Sequence, residues 1–239
     1  MIVEICVESL ASATAADRAG ADRIELCSDL YVGGVTPPAS LIRAVRAALT
    51  HAKLHVLVRP RPGDFVYSVY EIATMQRSID EAKTLRADGV VLGVLKDGGR
   101  IDVNATRELT KRARPMSVTF HRAFDRSPDV KRALDEVISA GCDRILTAGG
   151  AKQDGTEPVS ALDGAAGLRT LANAARNRII VLAAGGIRAK NVRDLIATTG
   201  VREVHASLLS HATNAPNASG ALSAITEQQV SEFLSAARS

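Results

Sequence analysis

Strand-like and helix-like runs alternate eight times along this chain of 239 residues. Short apolar runs predict strands, and the longer amphipathic stretches between them predict helices. Short connections between such elements favour parallel strands with right-handed crossovers. The pattern therefore predicts an α/β fold, a closed (β/α)8 TIM-type barrel, with an open doubly wound sheet as the alternative. The predicted strands lie near 2–7, 22–27, 54–59, 89–94, 116–121, 143–147, 178–183 and 202–207.

We expect a single barrel domain over residues 1–239. Ser9 and Asp102 have the residue types that cap helix N-termini. A long polar loop is predicted over 148–159, and the stretch 210–226, rich in Ser, Asn, Ala and Gly, is predicted to be irregular. The predicted helices lie near 9–19, 38–50, 68–87, 103–114, 129–140, 160–176, 190–198 and 226–238.

Composition narrows the classes of function. Aromatic residues make up 3% of the chain and Trp is absent, which argues against stacking on single-stranded nucleic acid. The net charge of +4 is mild and dispersed, so we expect no nucleic-acid partner. No apolar run approaches the roughly 20 residues that span a bilayer, and we expect no membrane partner. Three cysteines and no signal-like N-terminus predict a reduced, cytoplasmic protein.

Several predicted strands carry polar side chains on alternate positions. Strands covered by helices should be apolar almost throughout, and alternate side chains of a strand share one face. Charged side chains are costly to bury without partners. Their grouping on one inward face therefore predicts a polar pocket at the carboxyl ends of the strands. The inward sets are Glu4, Cys6 and Glu8; Glu25 and Cys27; Arg59 and Arg61; and Thr119 and His121.

Cys6 and Cys27 are the candidate metal ligands. Neighbouring strands lie about 4.8 Å apart, so these two side chains can project side by side. Two thiolates at close range suit Cu(I) or, with further ligands, Zn(II). The alternative is that each cysteine is a small buried hydrophobe. Cys142 begins the sixth predicted strand, at the opposite rim, and is predicted to be structural.

Glu25, His121 and Asp125 are the candidate acid–base groups. A carboxyl whose pKa is raised by burial can transfer protons near neutral pH. His121 follows the fifth strand with Asp125 four residues on, and an imidazole in such surroundings can act as an acid or base. The alternatives are a structural ion-pair network for Glu25 and a histidine satisfied by a carbonyl group.

A second group of residues predicts binding of a small anion. Guanidinium groups hold carboxylates and phosphates through paired hydrogen bonds. Loops after the seventh and eighth strands of such barrels often bind phosphate. The Gly-Gly pair after the seventh strand fits equally well with a plain tight turn. The candidate anion-binding residues are Arg59, Arg61, Arg122, Gly185, Gly186 and Ser207.

Seven motifs between residue 2 and about residue 209 together carry a resemblance to a known protein family. They are VEICV (3–7), GADRIELC (20–27), GGVTP (33–37), VRPRPGDF (58–65), GVVLG (89–93), VTFHRAFD (118–125) and EVHAS (203–207). This set resembles the CutC copper-homeostasis family. The family usually has Pro-Gly-Gly-Gly after strand seven, where this chain has Ala183-Ala184-Gly185-Gly186-Ile187.

The resemblance implies a TIM-type barrel, a cytoplasmic location, a homodimer or higher homo-oligomer, and a link to copper tolerance. It implies Cu(I) as the cofactor or cargo, with ligands in the motifs that contain Cys6 and Cys27. Our leading hypothesis is therefore a copper-homeostasis protein that binds Cu(I) through this cysteine pair. The alternative is an enzyme acting on a small anionic or phosphorylated metabolite.

Overall fold

The eight strands close into a parallel barrel in sequence order. This computed structural model describes residues 1–151, 159–208 and 224–239. The predicted fold class is thereby confirmed. Most of the predicted polar loop at 148–159 and of the irregular stretch at 210–226 lies outside the described residues. The strands are β1 (Ile2–Val7), β2 (Arg23–Leu26), β3 (Lys53–Leu57), β4 (Gly89–Leu92), β5 (Ser117–Phe120), β6 (Arg144–Thr147), β7 (Ile180–Ala183) and β8 (Glu203–Ala206).

In the described part of the chain, each strand is followed by an α-helix. Ser9 Oγ accepts a hydrogen bond from Ser12 N at 3.2 Å, and Asp102 Oδ1 accepts one from Ala105 N at 3.0 Å. Both predicted N-caps are thus confirmed. None of these helices is both long enough and apolar enough to cross a bilayer. The helices are α1 (Leu10–Arg18), α2 (Ala39–Ala48), α3 (Val69–Thr84), α4 (Val103–Ala113), α5 (Val130–Ser139), α6 (Ala165–Ala175), α7 (Ala189–Thr199) and α8 (Glu227–Arg238).

The sixth helix begins later than the predicted residue 160. Its first residue is Ala165, because Ala161 N donates a hydrogen bond to Gly185 O at 2.8 Å and the chain before the helix turns toward the β7–α7 loop. Three short 3₁₀ turns were also absent from the predicted pattern. They cover Leu30–Val32, Asp97–Gly99 and Arg122–Arg126.

The outer face of the barrel is packed against the helices by aliphatic side chains. Ile5, Ile24 and Leu26 are fully buried there and belong to the main hydrophobic core. Burial of each such side chain contributes about 1.5–3 kcal/mol to folding. These residues alternate along the strands with the polar ones, which therefore face the barrel interior.

The strand register stacks the interior side chains in layers of four. When the paired residues are traced once around the barrel, the path returns to the first strand about eight residues away from its starting point. Alternate strands therefore contribute to each layer, as in other barrels of this type. From the amino end to the carboxyl end, the layers are Arg23, Gly89, Arg144 and Glu203; then Glu4, His55, Thr119 and Leu182; then Glu25, Val91, Leu146 and His205; then Cys6, Leu57, His121 and Ala184.

Asp17, on α1, ties that helix to the loop before β3. Its carboxylate accepts hydrogen bonds from Ala52 N at 2.7 Å, Thr50 N at 2.9 Å and His51 N at 3.0 Å. Burial opposes ionisation, but these N–H groups outweigh it and lower the pKa of Asp17 to about 2. The depressed pKa means that Asp17 stabilises the fold in its ionised form.

Substitution Asp17→Asn should lower the free energy of unfolding at pH 7 by about 1.5–3 kcal/mol, the usual contribution of hydrogen bonds to a charged group. The difference from wild type should shrink as the pH falls from about 4 toward 2, because the ionised form is then lost. Urea unfolding followed by circular dichroism at several pH values measures both effects. Asp97→Asn, at an exposed position, is the control. Equal stability of the two variants at pH 7 would contradict this role for Asp17.

Candidate functional site

A buried network of ion pairs fills the lower part of the barrel. Arg23 Nε donates to Glu4 Oε2, and Arg23 Nη2 donates to Glu203 Oε2 at 2.5 Å. Arg144 Nε donates to the same Glu203 oxygen at 3.0 Å. The second oxygen of Glu4 lies 2.7 Å from His205 Nδ1. Both carboxylates therefore have two partners each, which is what buried charges require.

The network fixes the ionisation of its members. Burial opposes the charge on Glu4, but Arg23 and His205 outweigh it and hold the pKa of Glu4 well below its ordinary value. Burial also opposes the charge on His205, while Glu25 and Glu4 raise its pKa. Glu4 is therefore ionised, and its negative charge is compensated by Arg23 and His205.

The cysteine pair lies directly above this network. Cys6 Sγ and Cys27 Sγ are 3.8 Å apart, and both side chains are buried, at 2% and 0% exposure. Their apolar neighbours include Leu57 and Val91. The hydrogen bond with Cys27, followed by burial, raises the pKa of Cys6 well above its ordinary value. The Cys6 sulfur is therefore a protonated thiol until a ligand displaces the proton.

Gly34 packs closely against this pair. Its φ of +81° is in the left-handed region that favours glycine. A Cβ on Gly34 would lie 2.8 Å from Leu57 Cδ2, 3.3 Å from Cys27 Cβ and 3.5 Å from Cys27 Sγ. The loop that contains Gly34 therefore covers the Cys27 thiol closely.

Glu25 and His205 adjoin the same thiols. Glu25 Oε1 lies 3.9 Å from Cys6 Sγ, and Glu25 Oε2 lies 3.7 Å from His205 Nδ1. Potential ligand atoms of Cys6, Glu25 and His205 are all within 4.8 Å of one another. Burial raises the pKa of Glu25 to about 7, so this carboxyl exchanges its proton near neutral pH. The predicted acid–base residue Glu25 is thus part of the cysteine site.

Arg59 and Glu8 hold the loops over the barrel mouth. Glu8 Oε2 accepts a hydrogen bond from Leu30 N at 2.9 Å. The buried Arg59 donates from Nη1 to Gly34 O at 2.8 Å and from Nη2 to Gly63 O at 3.0 Å. Arg59 therefore joins the loop after β2 to the loop after β3. Its predicted role in anion binding stays a prediction.

His121 is a buried, neutral imidazole at the end of β5. Its Nδ1 accepts a hydrogen bond from Ala123 N at 3.2 Å, and its ring lies 4.7 Å from that of Phe65. Burial, followed by the charges of Arg59 and Arg126, lowers the pKa of His121 to about 3. The proton is therefore on Nε2, which is buried and has no partner among the described residues. Such a ring can donate a hydrogen bond at neutral pH, while its acid–base role stays a prediction.

Asp125 organises the loops after β5 and β6. Its fully buried carboxylate accepts hydrogen bonds from Thr147 Oγ1, from Ala148 N at 3.0 Å and from Gly150 N at 3.1 Å. Arg122 Nε donates to it at 2.8 Å. These contacts give Asp125 a positioning role, and its predicted catalytic role is untested.

The other predicted anion-binding residues are divided among different loops. Arg61 forms ion pairs with Glu71, at the start of α3, and with Asp64 at 2.8 Å. Gly185 and Gly186 have φ angles of +107° and +65° and form the turn between β7 and α7. Ser207, which follows β8, is half-buried. Anion binding by these residues stays a prediction.

Sequence reasoning missed the basic half of the interior network. Arg23 and Arg144 were not among the predicted site residues, and Glu203 and His205 were given no role. The signal was present, because Arg23 shares its strand face with Glu25 and Cys27, and Glu203 shares its face with His205 and Ser207.

The fold and the site together define a (β/α)8-barrel protein with a thiol pair above a buried ion-pair network. The CutC family model matches residues 1–210. A protein of Bacteroides thetaiotaomicron named family protein CutC is 44% identical over 204 residues, which cover 85% of this chain and 79% of that protein. A CutC protein of Chromobacterium violaceum is also 44% identical, over 86% of this chain and 80% of its own length. The chain belongs to the CutC family.

Solved structures agree with this assignment. A crystal structure of CutC from Streptococcus agalactiae, described as a candidate copper homeostasis protein, is 32% identical and has a TM-score of 0.81. The match covers 87% of this chain and 98% of that one. Phosphoribosyl anthranilate isomerase from Thermotoga maritima matches over 100% of this chain and 99% of its own with a TM-score of 0.63. At 16% identity, that likeness shows the barrel fold alone.

Substitution Arg23→Met should lower the free energy of unfolding by about 3–5 kcal/mol, because it leaves Glu4 and Glu203 buried with fewer partners. The matched control is Arg112→Met, which breaks the surface pair with Asp80, whose side chains are 43% and 49% exposed. That change should cost less than about 1 kcal/mol. Denaturant titration measures both values, and a loss below 1 kcal/mol for Arg23→Met would show that the network does not stabilise the barrel.

Proposed function

We propose that this protein takes part in copper homeostasis by binding Cu(I) through Cys6 and Cys27. The observation that carries the proposal is the pair of buried sulfur atoms 3.8 Å apart at the barrel mouth. Soft thiolate ligands select Cu(I) over harder ions. Membership of the CutC family supports the same function.

The distance between the two sulfur atoms fits a bound ion. Sulfur ligands of a tetrahedral Zn(II) ion, at about 2.3 Å from the metal, lie about 3.8 Å apart, so the two sulfurs are separated by a distance that one shared metal ion can span. Gly34 lets the loop after β2 pass closely over the Cys27 thiol, where a Cβ would come within 2.8 Å of Leu57 Cδ2. The apolar surroundings of Leu57 and Val91 keep competing water away from the sulfurs. Cys6 would lose its proton as the ion binds.

A reducing compartment supports this chemistry. The three cysteines of the chain are free, and Cu(I) binding requires that they remain so. We therefore propose a cytoplasmic location. The homodimer implied by the family resemblance is part of the same proposal, and light scattering of the purified protein measures its mass in solution.

Titration of Cu(I) against a competing chelator tests the proposal. The substitutions Cys6→Ser and Cys27→Ser should each weaken binding by more than about 100-fold, since loss of an outer-shell partner alone costs about 10–100-fold. Cys142→Ser is the matched control, because Cys142 is also buried but lies just before β6, with its Sγ 3.7 Å from Thr110 Oγ1 on α4. It should bind Cu(I) as wild type does. Unchanged affinity in both mouth variants would exclude the cysteine pair.

A second candidate function is an enzyme acting on a small anionic metabolite. The observation that favours it is the pKa of about 7 for the buried Glu25, together with polar atoms on Glu25, Thr119 and His121 that have no hydrogen-bond partner among the described residues. A carboxyl with that pKa suits general acid–base catalysis at neutral pH.

Thermal unfolding in the presence of sugar phosphates and carboxylates tests this second function. A true ligand should raise the melting temperature of wild type and have a smaller effect on His121→Ala and Glu25→Gln, because a more weakly bound ligand stabilises the folded state less at the same concentration. Arg61→Ala, at the partly exposed ion pair with Glu71, tests the rim residues separately. No shift with any compound in the wild type would contradict the enzyme.

A further inference from the structure

The barrel interior holds a second group of potential metal ligands immediately below the cysteine pair. Cys6, Glu25 and His205 offer a sulfur, a carboxylate oxygen and an imidazole nitrogen, all within 4.8 Å of one another. This group of mutually close ligand atoms does not include Cys27. Two candidate sites therefore share Cys6, one made of sulfur alone and one of mixed character.

We propose that Cys6, Glu25 and His205 form a site for a divalent cation of borderline hardness, such as Zn(II), which competes with Cu(I) for Cys6. The inference deepens the proposed function and rests on it for the role of Cys6 as a metal ligand. Zn(II) takes sulfur, nitrogen and oxygen ligands together, whereas Cu(I) is selected by sulfur.

The distances fit such an ion. Ligand atoms at about 2.0–2.3 Å from a tetrahedral ion lie about 3.3–3.8 Å apart. Cys6 Sγ lies 3.9 Å from Glu25 Oε1, and Glu25 Oε2 lies 3.7 Å from His205 Nδ1. Small side-chain shifts therefore close the three donors around one ion.

A further observation points to a ligand at this place. Glu25 is 5% exposed, yet its Oε2 is buried without a hydrogen-bond partner among the described residues. Buried carboxylate oxygens are normally paired, so this atom is available to an ion. His205 Nδ1 also lies 2.7 Å from Glu4 Oε1, so an ion bound to Nδ1 would replace that hydrogen bond.

Charge balance favours a divalent ion here. A thiolate from Cys6 and a carboxylate from Glu25 carry two negative charges, which a divalent cation neutralises. The charges of Glu4 and Glu203 are already balanced by Arg23 and by the remainder of the buried network. A neutral complex is the arrangement that a buried site tolerates best.

The test measures Zn(II), Co(II) and Cu(I) binding, each ion alone, to the full chain and to four variants. Co(II) reports sulfur and nitrogen ligation through its visible absorption. His205→Gln retains a donor for Glu4 but removes the imidazole, and Glu25→Gln retains the side-chain shape but removes the charge. Circular dichroism of each variant checks its fold. Both substitutions remove a Zn(II) ligand but at most an outer-shell partner of Cu(I), so Zn(II) affinity should fall at least about tenfold further than Cu(I) affinity.

Cys27→Ser should show the reverse pattern. It should retain Zn(II) binding within about threefold while it loses Cu(I) binding, and Cys142→Ser should retain both. Because Cys6 is shared, addition of one equivalent of Cu(I) to the Zn(II)-loaded wild type should release Zn(II) to a chromogenic chelator.

The outcomes separate this inference from the proposed function. Cu(I) binding without Zn(II) binding in the wild type would overturn the second site and leave the copper function intact. Zn(II) binding that survives in Cys27→Ser, without Cu(I) binding in the wild type, would support the second site and overturn the copper function. Equal Zn(II) affinity in wild type, Glu25→Gln and His205→Gln, or loss of Zn(II) in Cys27→Ser alone, would also overturn the mixed site.

Discussion

The double pairing of Arg23 with Glu4 and Glu203 is the interaction on which the interior of this barrel depends. A barrel of this type normally fills its interior with branched aliphatic side chains. Here most of the charged interior side chains lie on β8, β1 and β2 and are joined by Arg144 from β6, while the other strands contribute Leu57, Val91, Leu146 and Leu182. Removal of the guanidinium would leave two buried carboxylates with only His205 and Arg144 as partners.

This network gives the cysteine pair its particular environment. Glu4 orients His205, His205 approaches Glu25, and Glu25 contacts Cys6. The thiols thus have charged and polar groups on the amino-terminal side and the apolar side chains of Leu57 and Val91 beside them. An ion entering from the mouth would meet sulfur first and oxygen or nitrogen ligands next.

The sequence alone was enough to predict the fold and the neighbouring positions of the two cysteines. Alternation inside a strand places Cys6 and Cys27 on the inner face, and their Sγ atoms are 3.8 Å apart. The same rule was a poorer guide to the orientation of Arg59 and Arg61. β3 ends at Leu57, and side chains beyond the end of a strand no longer alternate. Arg59 instead clamps two loops, and Arg61 pairs with Glu71.

The remaining parts of the site depend on long-range contacts, which the hydrophobic periodicity of the sequence does not predict. The approach of His205 to Glu4 joins residues at opposite ends of the chain, and it follows from the closure of the barrel between β1 and β8. The pKa values of Glu25 and His121 are likewise set by burial and by charges on other strands. Alternation could identify these residues as inward-facing but could not identify their partners.

X-ray absorption at the copper edge of the Cu(I)-loaded protein tests the central claim most directly. The account predicts a first coordination shell that contains two sulfur atoms, both lost when Cys6 and Cys27 are replaced together. A first shell made only of nitrogen and oxygen atoms, or one unchanged by the double replacement, would contradict it.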